Sequence, residues 1–104
     1  MSTIDELSDC MKLLSDKTRL TIMALLREKE MCVCDLVDIL QTTQPNVSQH
    51  LRKLKLGGLV HETRRSQWIY YSLNVENKPH LHSLMQQLPS MREQLAARPI
   101  MKCD

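Results

Sequence analysis

The stretch CVCDLVDILQTTQPNVSQHLRKLKLGGL, residues 32–59, decides the fold. It reads as two helices separated by a tight polar turn. In the first, Leu36, Ile39 and Leu40 place apolar groups at i, i+3 and i+4 on one face. The pattern stops at Gln41 and Thr42, and a new start signal follows at once. Thr43 can cap a helix with its hydroxyl, and Pro45 falls in the first turn, where its missing N–H costs nothing. Val47, Leu51 and Leu54 then form a stripe at helical spacing, and Lys55-Leu56-Gly57-Gly58 closes the helix with a cation and glycine beyond it.

The opposite face of this second helix carries Gln44, Asn46, Ser48, Gln49, His50, Arg52 and Lys53. A short helix, a turn and a second helix with a polar face is the arrangement that lays a recognition helix in the DNA major groove. Asn and Gln pair bidentately with adenine and Arg with guanine, while Lys53 and Lys55 suit phosphates. A solvated polar face on an ordinary helix is the competing reading, and the flanking sequence weighs against it.

Downstream of the glycines the period changes from helical to two. Residues 60–64 and 69–73 alternate like two strands joined around Arg65-Ser66-Gln67, with Ile69, Tyr71 and Leu73 facing inward. Arg64 and Arg65 sit at the tip beside Trp68, so a basic hairpin follows the recognition helix. That is the form of a wing, placed to touch the DNA backbone or minor groove. Upstream, Leu7, Cys10, Met11 and Leu14 mark a first amphipathic helix. A second, capped by Ser15 or Asp16, carries Leu20, Met23 and Ala24, with Leu25 and Leu26 widening its apolar side. The fold expected is mainly α with a β-hairpin: a winged helix-turn-helix, dimeric.

Residues 76–96 return to helical spacing through Leu81, Leu84, Met85, Leu88, Met91 and Leu95. Pro79 suits an opening turn, but Pro89 either kinks this helix or splits it in two. The first and last helices are the expected dimer surface. One domain spans residues 1–97, and 98–104 is expected to be a flexible tail.

Composition bounds the function. At 104 residues the chain is one domain, and a second copy would help it bury enough surface. With no Phe and seven Met, the core must be built from aliphatic and thioether side chains. Fourteen Lys+Arg against twelve Asp+Glu leave only +2, so any basic footprint is local. No signal peptide or membrane-length apolar run appears, which leads to the expectation of a cytoplasmic protein with no membrane partner. Four cysteines in that compartment point to thiol, metal or redox chemistry. No paired carboxylates, Gly-rich phosphate loop or nucleophile–base pair suggests an enzyme.

Cys32-Val33-Cys34 opens the first helix of the central stretch. Two such residues lie about 200° apart around an ideal helix and cannot chelate one ion from it. An extended or frayed first turn would bring them closer, and a helix N-terminus near Lys29 favours thiolate. Thiolates select soft ions; equally, such a cysteine can be a small buried hydrophobe.

The segments LSDKTRLTIMALL (14–26), MCVCDL (31–36), SQHLRKLKLGGLV (48–60) and WIYYSL (68–73) resemble the ArsR/SmtB family of metal-sensing repressors, over roughly residues 5–96. CVCDL at this place is similar to the arsenic-responsive and cadmium/lead-responsive members. The resemblance implies a homodimer that binds double-stranded operator DNA with no cofactor and releases it when an effector binds. It implies Cys32 and Cys34 as effector ligands, with As(III) or Sb(III) as inducer and Cd, Pb or Zn as alternatives. Close arsenic sensors often carry a third cysteine where this chain has Val37. Cys10 and Cys103 are then the candidate third thiols, the alternative being that both are bystanders. A zinc site on the last helix would use His80 and His82, but Arg92 and Glu93 offer only one further ligand. A thiol-redox repressor of the same fold is the remaining alternative; C-x-C being a poor disulfide spacing, it would draw on Cys10 or Cys103.

Overall fold

A computed structural model describes residues 3–76 and 78–97. The elements in chain order are α1 (Thr3–Leu14), α2 (Lys17–Glu28), β1 (Met31–Cys32), α3 (Val33–Leu40), α4 (Gln44–Leu56), β2 (Val60–Arg65), β3 (Trp68–Leu73), α5 (Pro79–Gln87) and α6 (Arg92–Ala97). This is the winged helix-turn-helix expected from the sequence, with one strand added.

Local chemistry sets the helix boundaries. Asp16 caps α2, its carboxylate accepting from Arg19 N–H at 3.0 Å, and Thr43 caps α4 by accepting from Asn46 N–H at 3.3 Å. Gln41 ends α3 in the left-handed region at φ 55°, which turns the chain sharply toward α4. At the end of α4, Gly57 lies against α1: a Cβ there would run into Leu13 Cδ1.

The core gathers the stripes read from the sequence. Ile22, Met23 and Leu25 of α2, Leu36 of α3, and Val47, Leu51 and Leu54 of α4 are fully buried. Each such side chain contributes about 1.5–3 kcal/mol of gross hydrophobic stabilisation. Packing them fixes α3 against α4 and α4 against α2. Tyr71 on β3 is buried and Ile69 and Leu73 are half-buried, the inward face expected.

The hairpin register pairs Val60 with Leu73 and Arg65 with Trp68, leaving Ser66 and Gln67 as the turn, with Ser66 at φ 58°. The added strand is β1. It pairs antiparallel with β3, Met31 opposite Tyr71 and Cys32 opposite Tyr70, giving the order β1-β3-β2. A two-residue strand has no period to detect in a sequence.

Pro89 divides the terminal apolar segment into α5 and α6. Arg27 holds the break in place: its guanidinium donates to the carbonyls of Met85, Leu88 (2.8 Å) and Pro89 (2.8 Å). Neighbouring Glu28 accepts from Met91 N–H at 3.3 Å and from Arg92 at 3.4 Å. Residues 98–104, expected as a tail, lie outside the described residues.

Candidate metalloid site and nucleic-acid interface

The site begins with one backbone conformation. Cys32 is both the last residue of β1 and the N-cap of α3, with extended φ −88° and ψ 170°. Because it stands outside the helix, the 3.6-residue period does not separate it from Cys34. The two Sγ atoms meet at 3.0 Å. Cys32 is 3% exposed, whereas Cys34 faces solvent.

Asp35, which the sequence reading did not single out, completes the group. One ligand atom from each of Cys32, Cys34 and Asp35 lies within 4.8 Å of the others. The Asp35 side chain occupies the third helical position and reaches back so that Oδ2 accepts from Cys32 N–H at 3.4 Å. This is the carboxylate half of a capping box, with sulfur where a hydroxyl usually stands. Its other oxygen, Oδ1, is buried with no hydrogen-bond partner. Burial pushes the Asp35 carboxyl up, and the Cys32 N–H and Lys29 charge offset this in part. An acidic residue three positions after a helix cap was the available signal.

A buried acceptor with an unused lone pair beside two sulfurs suits a cation or a thiophilic centre better than an apolar core. Cys10, by contrast, is 9% exposed on α1 beside Leu81 and Leu84, and burial raises its thiol pKa. Cys103 lies outside the described residues. Among the described residues of one chain, His80 and His82 are exposed on α5 and gather no three-ligand group.

The surface that the sequence reading assigns to DNA is formed by α4 and the hairpin. Gln44, Gln49, Arg52 and Lys53 are exposed. Gln44 donates to Ser48 Oγ at 2.9 Å and Asn46 to Thr42 Oγ1 at 3.1 Å, ordering the N-terminal end of the helix. Lys55 instead turns to Glu62 on β2 at 2.8 Å, and Tyr71 hydroxyl donates to the same carboxylate at 2.6 Å. His50 turns back toward α2, with Arg19 at 3.1 Å and Asp16 at 3.9 Å from Nδ1. Arg64 is exposed on the hairpin, while Arg65 pairs with Glu30 just before β1 and stacks 5.1 Å over the Tyr70 ring. The cysteine pair therefore connects to both elements of that surface: to α4 through α3, and to the hairpin through the pairing of β1 with β3.

These features define a winged helix-turn-helix DNA-binding regulator. The comparisons narrow the class. Residues 16–62 match the model of the bacterial regulatory proteins of the arsR family. The chain is 39% identical over 79 residues to the arsenic resistance transcriptional regulator ArsR2 of Pseudomonas putida, covering 75% of this chain and 69% of that one. It is 42% identical over 71 residues to the arsenical resistance operon repressor of Escherichia coli, covering 67% of this chain and 57% of that protein. Its fold superposes with TM-score 0.71 on the homodimeric winged helix-turn-helix domain Mb0332 of Mycobacterium bovis, at 30% identity, covering 81% and 78% of the two chains. The chain belongs to the arsR family of transcriptional regulators, and it is not an enzyme.

Proposed function

We propose that this protein is a repressor of a metal(loid)-resistance operon that leaves its operator when arsenite or antimonite is gripped by Cys32 and Cys34. The observation that carries the reading is the 3.0 Å meeting of the two sulfurs beside the unsatisfied Asp35 Oδ1, at the start of the helix that packs on α4. The repressor and arsenical roles of the relatives support it.

On DNA, Gln44, Asn46, Ser48, Gln49 and Arg52 face base edges. Lys53 and Arg64 meet phosphates, and His50 and Arg65 act from their partners at the margins of the surface. The protein works as a homodimer, residues 1–97 forming each unit, in the cytoplasm and away from membranes; no described helix is long and apolar enough to cross one. The dimer is made by α1 and the α5 part of the terminal segment, where 70%-exposed Met11 and half-buried Leu84 border one groove.

Release follows from the position of Cys32. Engaging both cysteines draws on the cap of α3 and the end of β1 together, so α4 and the wing shift with the site. Dimeric helix-turn-helix proteins need their recognition helices about 34 Å apart. A thousandfold loss of operator affinity needs about 4 kcal/mol of coupling, and operator must weaken inducer binding equally.

The test is operator binding by fluorescence anisotropy, titrated with arsenite, on wild type and Cys32→Ser/Cys34→Ser. The wild type is expected to release DNA and the double variant to stay bound; a double variant that releases normally rejects the assignment. A second reading, a cadmium, lead or zinc sensor, is favoured by Asp35, because a carboxylate oxygen suits these borderline ions better than trivalent arsenic.

A further inference from the structure

The C-x-C spacing argues against a disulfide inside the pair, but the structure removes that objection. With Cys32 extended outside the helix and Cys34 inside it, the sulfurs are already 3.0 Å apart, against about 2.05 Å in a disulfide bond. Their exposure differs: Cys34 is open to solvent and Cys32 is buried. An accessible sulfur beside a sheltered one is the layout of a pair in which one thiol meets an oxidant and the other resolves the product.

We propose that Cys32 and Cys34 form a self-contained dithiol–disulfide couple, oxidised by hydroperoxides, that blinds the protein to its thiophilic inducer while leaving it on DNA. This rests on the reading of the pair as the inducer site. In the first step Cys34 sulfur attacks one peroxide oxygen. The O–O bond breaks, Cys34 becomes a sulfenic acid, and the departing oxygen leaves as water or alcohol with the thiol proton. Cys32 sulfur then attacks Cys34 sulfur. The S–O bond breaks, a water departs with the second thiol proton, and the S–S bond forms. Two thiols have lost two electrons, and the peroxide has taken them.

The disulfide has no thiolate to offer, and metal or metalloid ligation needs one. It also pulls the pair in the opposite direction from an inducer. A tetrahedral zinc ion, one of the alternative inducers, has metal–sulfur bonds of about 2.3 Å and holds two sulfurs about 3.8 Å apart. Any centre gripped by both sulfurs keeps them unbonded to each other, whereas disulfide closure moves them about an ångström nearer. Side-chain rotation covers that distance, so Cys32 keeps its place opposite Tyr70 and α3 keeps its seat on α4. Cys10 is not needed as a partner: burial raises its thiol pKa, and the thiolate is the reactive form.

The test uses the full chain as Cys10→Ser/Cys103→Ser, which keeps the pair alone, alongside wild type. Each is treated with hydrogen peroxide, alkylated and weighed intact, then assayed for operator binding with and without arsenite. The expected product is a single chain lighter by two hydrogens, with both remaining thiols closed to alkylation. It should bind operator within twofold of the reduced form, ignore arsenite, and respond again after dithiothreitol. Thiols that remain alkylatable, cross-linked chains, or an oxidised protein that drops DNA or still answers arsenite would each overturn the proposal. If the reduced protein ignores arsenite while the disulfide still forms, the metalloid reading falls and the redox couple is upheld.

Discussion

At the scale of single residues, the site is asymmetric in a way its sequence does not display. Cys32 is buried, paired into the sheet and capping a helix; Cys34 is exposed and carries none of those duties. Asp35 is held half-satisfied between them, one oxygen on Cys32 N–H and the other without a partner. Replacing Asp35 by Asn keeps the shape and one acceptor but removes the charge. Asp35→Asn is expected to weaken cadmium or zinc binding by about tenfold or more while leaving arsenite affinity within a few-fold. Competition against a chromophoric chelator, and intact-protein mass spectrometry for arsenite, would measure the two; equal losses for both ions would remove Asp35 from any selective role. The cysteines were singled out in the sequence through the family resemblance that CVCDL carries, since a C-x-C pair alone reads equally as two small hydrophobes. Their closeness was not legible, since it depends on Cys32 lying outside the helix, and only strand pairing with Tyr70 settles that.

At the scale of elements, what the sequence states locally it states well. The stripe of Val47, Leu51 and Leu54, the Thr43 cap and the Gly57-Gly58 ending fix α4 to within a residue, because each rests on neighbours three or four positions away. Contacts between distant residues were invisible: β1 is two residues long, and the turning of His50 toward Asp16 and Arg19 depends on how α4 crosses α2. The hairpin turn offers a clean perturbation. Ser66 sits at φ 58°, where an L-residue is strained and glycine is not. Ser66→Gly is expected to raise stability by up to about 1 kcal/mol, read from urea denaturation, with operator affinity unchanged. The α2–α6 attachment offers a pH handle. The Met91 N–H, and then the Arg27 and Arg92 side chains, hold the Glu28 carboxyl below its ordinary value of 4.5. A depressed carboxylate contributes stability that is complete above the ordinary value and is lost as pH falls through the folded one. Melting temperature should therefore drop between about pH 5 and pH 3, and Glu28→Gln should flatten that drop; an unchanged slope would mean the attachment contributes nothing.

At the scale of the whole molecule, a net charge of +2 is too small to draw the chain to nucleic acid by itself. DNA affinity must come from a few cations arranged on one surface, and several of the chain's cations are committed elsewhere: Lys55 to Glu62, Arg65 to Glu30, and Arg27 to the α5 carbonyls. Lys53 and Arg64 remain exposed on the surface read as facing the duplex. Lys53→Ala is expected to weaken binding to specific and random DNA alike, and to lower the slope of log affinity against log salt by about one for each phosphate no longer neutralised. An unaltered slope would move Lys53 off the backbone. The double duty of Cys32 bears on anyone refitting this protein as a biosensor. Altering Cys32 changes the joint between sheet and helix along with the proposed detector, so a loss of response there confounds recognition with architecture. Cys34 and the solvent side of the site are where a new analyte can be accommodated while the framework stays as it is.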